Sequence, residues 1–338
     1  MKRWFGTLFA VALLATLVLA MPGRTAPSFV LKVATISPDN SALTNAMNAA
    51  AKEIEQRTAG RVGLRVYPGG VMGNDSVVLR KMRTGQIHGS TFTAGGVSTV
   101  YRDYQVLSLP LLFQDYREVD MVRAKIEPRL NQGLEAAGYV STGIMEAGFV
   151  YMMSNSPITT LENLKGHKVW IPEGDPIGQR AFKALGVPPV PLPLSDVLTG
   201  LQTGLLDTVS SSPVGTVVLQ WFTKVKYLTE TPLLYSYGTL AFTKQAWNQI
   251  PAADQPVVRE ILVRNLKRVD VQNRIDNERA LETLKRQGIQ FVKIQPDNLP
   301  RMQTIASQTI DSLVREGQFT AALVAEVRSI TQTVRQGK

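Results

Sequence analysis

Cysteine is absent from all 338 residues, and histidine occurs only twice, at His88 and His167. The first absence excludes disulfide staples, thiolate nucleophiles, cysteine-ligated metals and a lipid-modified cysteine as a membrane tether. The scarcity of histidine, with no HExxH, GxSxG or GxxxxGK[ST] in the chain, leaves no catalytic set, metal site or cofactor site to expect. His88 follows a glycine-bounded helix end and reads as structural; His167, in a Gly-His-Lys turn, reads as solvated. Long apolar runs are missing too, except at the start, where Lys2 and Arg3 precede the run from Trp4 to Ala20 and small residues follow. That is the layout of a secretory signal, cut after Ala20 or nearer Ala26. An uncleaved anchor is the alternative, because the run is close to the shortest that spans a bilayer. A freely diffusing periplasmic protein is expected.

Basic clustering is lacking as well. The net charge is +10, of which Lys2 and Arg3 contribute two, and the remaining basic residues alternate with acids along helical stretches such as VREILVRNLKRVD. Nucleic acid needs a gathered basic face and is not an expected partner; a diffusely positive surface suits anionic headgroups or an acidic partner.

What is present is an alternation of strands and helices. FVLKVATIS reads as a strand, SALTNAMNAAAKEIEQRTAGR as a helix ending at Gly60, VGLRVYPGG as a strand, DSVVLRKMRTGQ as a helix and IHGSTFTA as a strand. This order implies a parallel sheet with helices on its faces. A second unit follows: strand GFVYMMSN, linker SPITTLENLKG, strand HKVWIP, helix DPIGQRAFKALG, strand PPVPLP, helix SDVLTGLQTG with Ser195 as its N-cap, and strand LLDTVSS. A polar helix from Ala252 to Gln287, roughly 50 Å long at 1.5 Å per residue, braces both units, and residues 297–334 form a closing helical stretch. No internal repeat or low-complexity segment occurs. The expected fold is α/β with two domains and a ligand cleft between them: residues 27–147 plus 238–277 as domain I, and 148–237 plus 278–338 as domain II, after a signal peptide over 1–26. Without catalytic residues, such a cleft suits a solute binder that closes by hinge motion.

Four stretches, AAKEIEQRTAGRVGLRVYPGGVMGND, LSLPLLFQD, SPITTLENLKGHKVWIP and ALGVPPVPLPLSDVLTGLQTGLLDTV, carry a resemblance in order and spacing from about Phe29 to about Gly288. The chain resembles the substrate-binding subunit of tripartite ATP-independent periplasmic (TRAP) transporters. The resemblance implies a two-domain cleft, a strut helix across both domains, and delivery of a small-molecule ligand to membrane permease subunits driven by an ion gradient. It also locates departures. The family's GFR and KIRVP patterns, whose arginines engage the ligand's carboxylate, become Gly148-Phe149-Val150 and Lys168-Val169-Trp170-Ile171-Pro172, and QENP becomes SSSP with one inserted residue, bringing Ser211 or Ser212 to that place. Two further pocket positions align with Phe92 and Leu194.

A buried carboxylate without its guanidinium partner loses its main compensation, and Lys168, alternating in the strand, points away from the cleft. Three readings of Trp170 stand open. Phe92, Val150, Trp170 and Leu194 form an apolar wall for a hydrophobic, lipid-like ligand; or a cation sits over the indole with Glu173, Asp175 or Glu146 nearby; or Trp170 only packs under the hinge. Ile36, Ser37, Asp75, Phe149, Pro172 and Glu173 complete the candidate ligand-binding set with Ser211 and Ser212. Asp75 also reads as a helix N-cap, Ser37 as an ordinary cap, and Asp207 as a residue ordering a strand start. The function expected is a periplasmic receptor for a non-dicarboxylate ligand; the alternatives are an exported lipid carrier and an exported hydrolase on the same scaffold.

Overall fold

A computed structural model describes residues 27–337; the expected signal segment, residues 1–26, lies outside the described residues. The first lobe opens with β1 (Phe29–Thr35), α1 (Ala42–Arg57), β2 (Val62–Tyr67), α2 (Asp75–Arg83), β3 (Gly89–Thr93) and the short α3 (Ala94–Ser98). A 3-10 stretch at Arg102–Ser108 leads through α4 (Tyr116–Ala136) into the long strand β4 (Tyr139–Ser154). The second lobe contains β5 (Trp170–Pro172), α5 (Pro176–Ala184), β6 (Val190–Leu192), α6 (Val197–Thr203), β7 (Thr208–Ser211) and α7 (Pro213–Val218). Then come β8 (Tyr227–Thr243), α8 (Lys244–Trp247), α9 (Gln255–Arg286), β9 (Gln290–Val292), α10 (Asn298–Arg315) and α11 (Ala321–Arg335).

Local chemistry explains the boundaries. Ser41 Oγ accepts from Thr44 N at 3.2 Å to cap α1, whose Thr44, Met47, Ala50 and Ile54 turn inward. Asn74, not Asp75, caps α2, accepting from Val77 N at 3.1 Å. Ser195 does not cap α6: it lies in a 3-10 turn, Leu194–Asp196, and bonds Asp196 instead. α4 runs through Pro128, because Val119, Val122, Ile126, Leu130 and Leu134 bury one continuous stripe that outweighs the interruption.

The sheet is mixed rather than parallel. β2-β1-β3 pair in parallel as expected, but β8 lies antiparallel beside β3 and beside β4, and β7 antiparallel beside β4. β8 passes from one lobe to the other: Gly89–Thr93 flank its Gly238–Phe242 end, whereas β9 flanks Tyr227–Thr229. β4 accompanies it throughout, with register shifts at Ser141/Ile144, Glu146/Gly148 and Val150/Met152. The small β5-β6 sheet joins through a bridge between Val169 and Thr208.

The strut α9 extends for 32 residues, about 48 Å at 1.5 Å per residue. Its apolar stripe is partial for a reason. Val258, Ile261, Leu262 and Leu266 enter the first lobe's core and Leu284 the second's, but the middle faces the bulge of β4, where main-chain groups need partners. There Asp270 Oδ1 accepts from Glu146 N at 2.7 Å, and Asn273 and Asn277 donate to the carbonyls of Glu146 and Ala147 at 2.6 and 3.1 Å. Gly148 is required at this seam: its φ is +102°, and a Cβ would lie 2.6 Å from Asn277 Nδ2. Ile275, near the middle of the helix, is 40% exposed.

The closing helical stretch is two helices that part company. α10 packs on α5 in the second lobe. α11 returns to the first, where Leu323, Val324 and Val327 join the core of α4. Asp103 receives Thr320 N and Oγ1 at 2.7 and 2.6 Å, and Arg335 pairs with the buried Glu118 at 2.8 Å. The expectation that all of 278–338 belongs with the second lobe therefore fails at its last helix.

Candidate functional site

A cavity of about 1090 Å³ separates the lobes. The first lobe contributes Ile36 and Ser37 after β1, Asn74 and Asp75 at the start of α2, Phe92 and Thr93 on β3, and Gln105. The second contributes Trp170, Ile171, Pro172, Glu173 and Asp175 around β5, Leu194, and Ser210, Ser211 and Ser212 ahead of α7. Val150 and Met152 of β4 form part of its floor.

Of the twelve residues singled out from sequence, the structure brings Trp170, Val150, Phe92, Leu194, Ser212, Ser211, Ile36, Ser37, Asp75, Pro172 and Glu173 to this cavity. Phe149 is not there. It neighbours Val150 on a strand and so faces the other way, buried against Tyr116 and Tyr235 with ring centroids 4.9 and 6.0 Å apart. Glu146 cannot serve a cation in the cleft either: its side chain is fully buried, held by Arg274 through two 2.8 Å contacts and by the Tyr235 hydroxyl at 2.9 Å. Sequence reasoning missed Met152, Ser210, Gln105 and Trp221. Strand alternation from Val150 and Ser212 would have reached the first two; nothing local marks the others.

Trp170 is 5% exposed. Its Nε1 donates to the Leu192 carbonyl at 3.0 Å across the β5-β6 pair, and its ring meets Trp221 edge-on at 5.2 Å. The indole is thus fixed as wall, its polar atom already used. Lys168 turns outward to the Gly204 carbonyl at 2.7 Å, away from the cleft. His167 is not solvated: it bonds Ser156, Asp207 and Thr208 at 2.9, 2.9 and 2.7 Å, so Asp207 orders the start of β7. His88 is structural, accepting from Lys32 N at 3.1 Å and stacking on Phe29.

No Lys, Arg or His lines the cavity among the described residues. Its charged groups are acids. Asp75 accepts from Thr93 N and Oγ1 at 3.3 and 2.7 Å; Asp175 caps α5 and receives Gln105 Nε2 at 3.4 Å across the cleft; Glu173 receives Asn74 Nδ2 at 3.4 Å, also across it. Burial holds the carboxyls of Asp75 and Asp175 above their usual range. The five helix N-termini at the cleft, of α1, α2, α3, α5 and α7, are each capped by a side chain: Ser41, Asn74, Thr93, Asp175 and Ser212.

A raised carboxyl fits the fold better protonated, so the relative stability of the wild type is full below the unfolded-state value and declines as pH rises through the folded one. Asp75→Asn keeps an acceptor for Thr93 and removes the charge. It is expected to be more stable than wild type at neutral pH, the difference vanishing in mild acid, as read by urea unfolding at several pH values. An advantage that grows on acidification would contradict this account of Asp75.

The DctP pattern, bacterial extracellular solute-binding protein family 7, matches residues 33–316. The chain belongs to this family. Members are solute-binding receptors, not enzymes, that bind small ligands and work with membrane permease subunits. A solute-binding protein of Verminephrobacter eiseniae is 28% identical over 296 residues, spanning 84% of each chain. The C4-dicarboxylate-binding periplasmic protein DctP of Rhodobacter capsulatus is 24% identical over 335 residues, spanning 98% of each. Among solved structures, a TRAP periplasmic solute-binding protein from Haemophilus influenzae with bound L-gulonate superposes with a TM-score of 0.82 at 20% identity, covering 89% of this chain and 99% of that one. A counterpart from Sulfurospirillum deleyianum with bound succinate gives 0.82, also at 20% identity, over 90% and 99%. These likenesses establish the two-lobed TRAP receptor fold for the family 7 protein described above.

Proposed function

We propose that this family 7 receptor captures an uncharged, largely apolar solute in the periplasm and presents it to a TRAP-type permease. The observation that carries the reading is the cavity lining: three of the proteins named above carry C4-dicarboxylate, succinate or L-gulonate in their names or complexes, whereas here the cavity has no cationic side chain among the described residues and its helix N-termini are already capped. An anion in it would lose water without gaining an opposite charge, at a cost of several kcal/mol. Phe92, Val150, Trp170 and Leu194 offer apolar contact instead, and Ser211 and Ser212 offer neutral hydrogen bonding. Export by the segment 1–26 belongs to the same proposal. So does closure of one lobe on the other about β4 and β8, with Asn74 to Glu173 and Gln105 to Asp175 as contacts made across the cleft. Ligand favours closure only through contacts it makes better in that state.

A second reading, a cationic solute, is favoured by Asp75, Glu173 and Asp175, whose hydrogen-bond partners are all neutral. Native mass spectrometry of protein purified without added ligand, followed by calorimetry with succinate, glucuronate and an alkylammonium salt, separates the two. A neutral apolar mass and no heat from either acid is expected. Retention of a cation, with tight alkylammonium binding, selects the second reading, and tight succinate or glucuronate binding overturns both.

A further inference from the structure

The cavity does not end at the cleft. It continues into the second lobe between α5 and α10, where its walls are Leu111, Phe182, Leu185, Met302, Ile305 and Ala306. Leu111, Phe182, Leu185 and Ile305 pack against a core cluster that includes Met152 and Leu164 yet stay only partly covered, because one side of each faces the cavity. Interiors normally close such side chains against one another at crystal-like density. With this extension the cavity, at about 1090 Å³, exceeds the roughly 300–1,000 Å³ usual for a small-molecule site.

An independent observation lies at the same wall. Thr309 of α10 is 2% exposed, lines the cavity, and its Oγ1 has no hydrogen-bond partner. A helical threonine ordinarily bonds the carbonyl four residues back, as Thr304 does on the same helix, reaching Pro300 O at 3.0 Å. Ser210, opposite Met152 on β7, is the other cavity-lining residue with an unpartnered buried hydroxyl. An unmet hydroxyl on the α10 wall of the passage and another on the β7 side of the same cavity suit a chain that carries oxygen functions, not a pure hydrocarbon.

We infer that the passage between α5 and α10 is a tail subsite for an elongated, uncharged chain that carries oxygen functions, one beside Ser211 and Ser212 and another meeting Thr309 at the far end, with its hydrocarbon running between them past Ala181 and Ala306. The inference rests on the apolar-solute reading and adds where the chain goes. It accounts for the cavity's size, which a short acid does not need.

The test is a series of normal alcohols from butanol to dodecanol, titrated calorimetrically against the full-length mature protein and against Ala306→Phe and Ala181→Phe, which fill the passage from opposite walls. Wild-type affinity is expected to rise about fourfold per methylene, the equivalent of ~0.8 kcal/mol per buried CH₂, through the long end of the series. In either variant the rise stops at a shorter chain while butanol binds as before. Two results overturn the subsite and leave the apolar reading standing: a wild-type plateau before octanol, which needs no variant to fold, or unchanged dodecanol affinity in variants whose thermal unfolding matches wild type. Failure of every alcohol, with binding of succinate or glucuronate, overturns both.

Discussion

Trp170→Arg is expected to give the cleft measurable affinity for succinate and to weaken binding of the apolar solute proposed for it. A charge-assisted bond to a carboxylate contributes about 1.5–3 kcal/mol, so the gain over wild type is roughly 10- to 150-fold. The position decides the result. Trp170 sits on β5 with its side chain at the cavity wall, where the nearest acids, Glu173 and Asp175, are held by neutral partners from the other lobe. An arginine there can still donate to the Leu192 carbonyl now bonded by the indole at 3.0 Å, but it loses the edge-on contact with Trp221. Calorimetry with succinate and with the co-purified solute, beside a thermal melt, reads both effects. If neither affinity moves in a folded variant, Trp170 is hinge packing and not part of the ligand site.

The larger stability effect lies on the other face of β4. Arg274→Met leaves the carboxylate of Glu146, fully buried, with the Tyr235 hydroxyl as its remaining side-chain partner. Breaking a buried pair from one side costs about 3–5 kcal/mol, and the guanidinium also bonds Asp120 and lies 4.2 Å from the centre of the Tyr116 ring. Burial and the nearby Glu146 charge push the Tyr116 hydroxyl up to about 12, so it stays neutral and adds no second negative charge beside Glu146. Urea unfolding should show a loss of that size, with Glu146→Gln/Arg274→Met recovering part of it. A loss under about 1 kcal/mol, within the range of exposed pairs, would mean the pair is not the buried one described.

The ordering of β1 to β3 was legible because alternation, helix caps and glycine stops agree locally; Ser41 caps α1 at the start of the pattern, though the helix ends at Arg57, short of Gly60. The switches between lobes near residues 148 and 238 were legible as domain bounds, but the length and pairing of the strands that make them were not. β4 and β8 pair over most of their length, but three register shifts break the alternation that would mark a long strand, and the pairing joins residues such as Ser141 and Ala241 that are far apart in sequence. α4 was hidden by Pro128, whose local cost is outweighed by a buried stripe visible only once β4 and α11 lie against it. At the site, Phe92, Val150, Trp170 and Leu194, grouped from sequence, all line the cavity. Phe149 was misplaced because a motif names neighbours in sequence, while a strand sends neighbours to opposite faces. The passage toward Thr309 needed the packing of α10 on α5, which no spacing in either helix announces.

The parity of β4 has a bearing on how such receptors diversify. Val150 and Met152 look into the cavity, while Phe149 is committed behind it to Tyr235 and Tyr116, and the register shift at Glu146/Gly148 puts the Glu146 carboxylate on that buried side too, with Arg274 and Tyr235. Ligand choice and internal support are thereby divided between the two sides of a single strand. Evolution can rewrite the inward positions one at a time without disturbing the packing behind them.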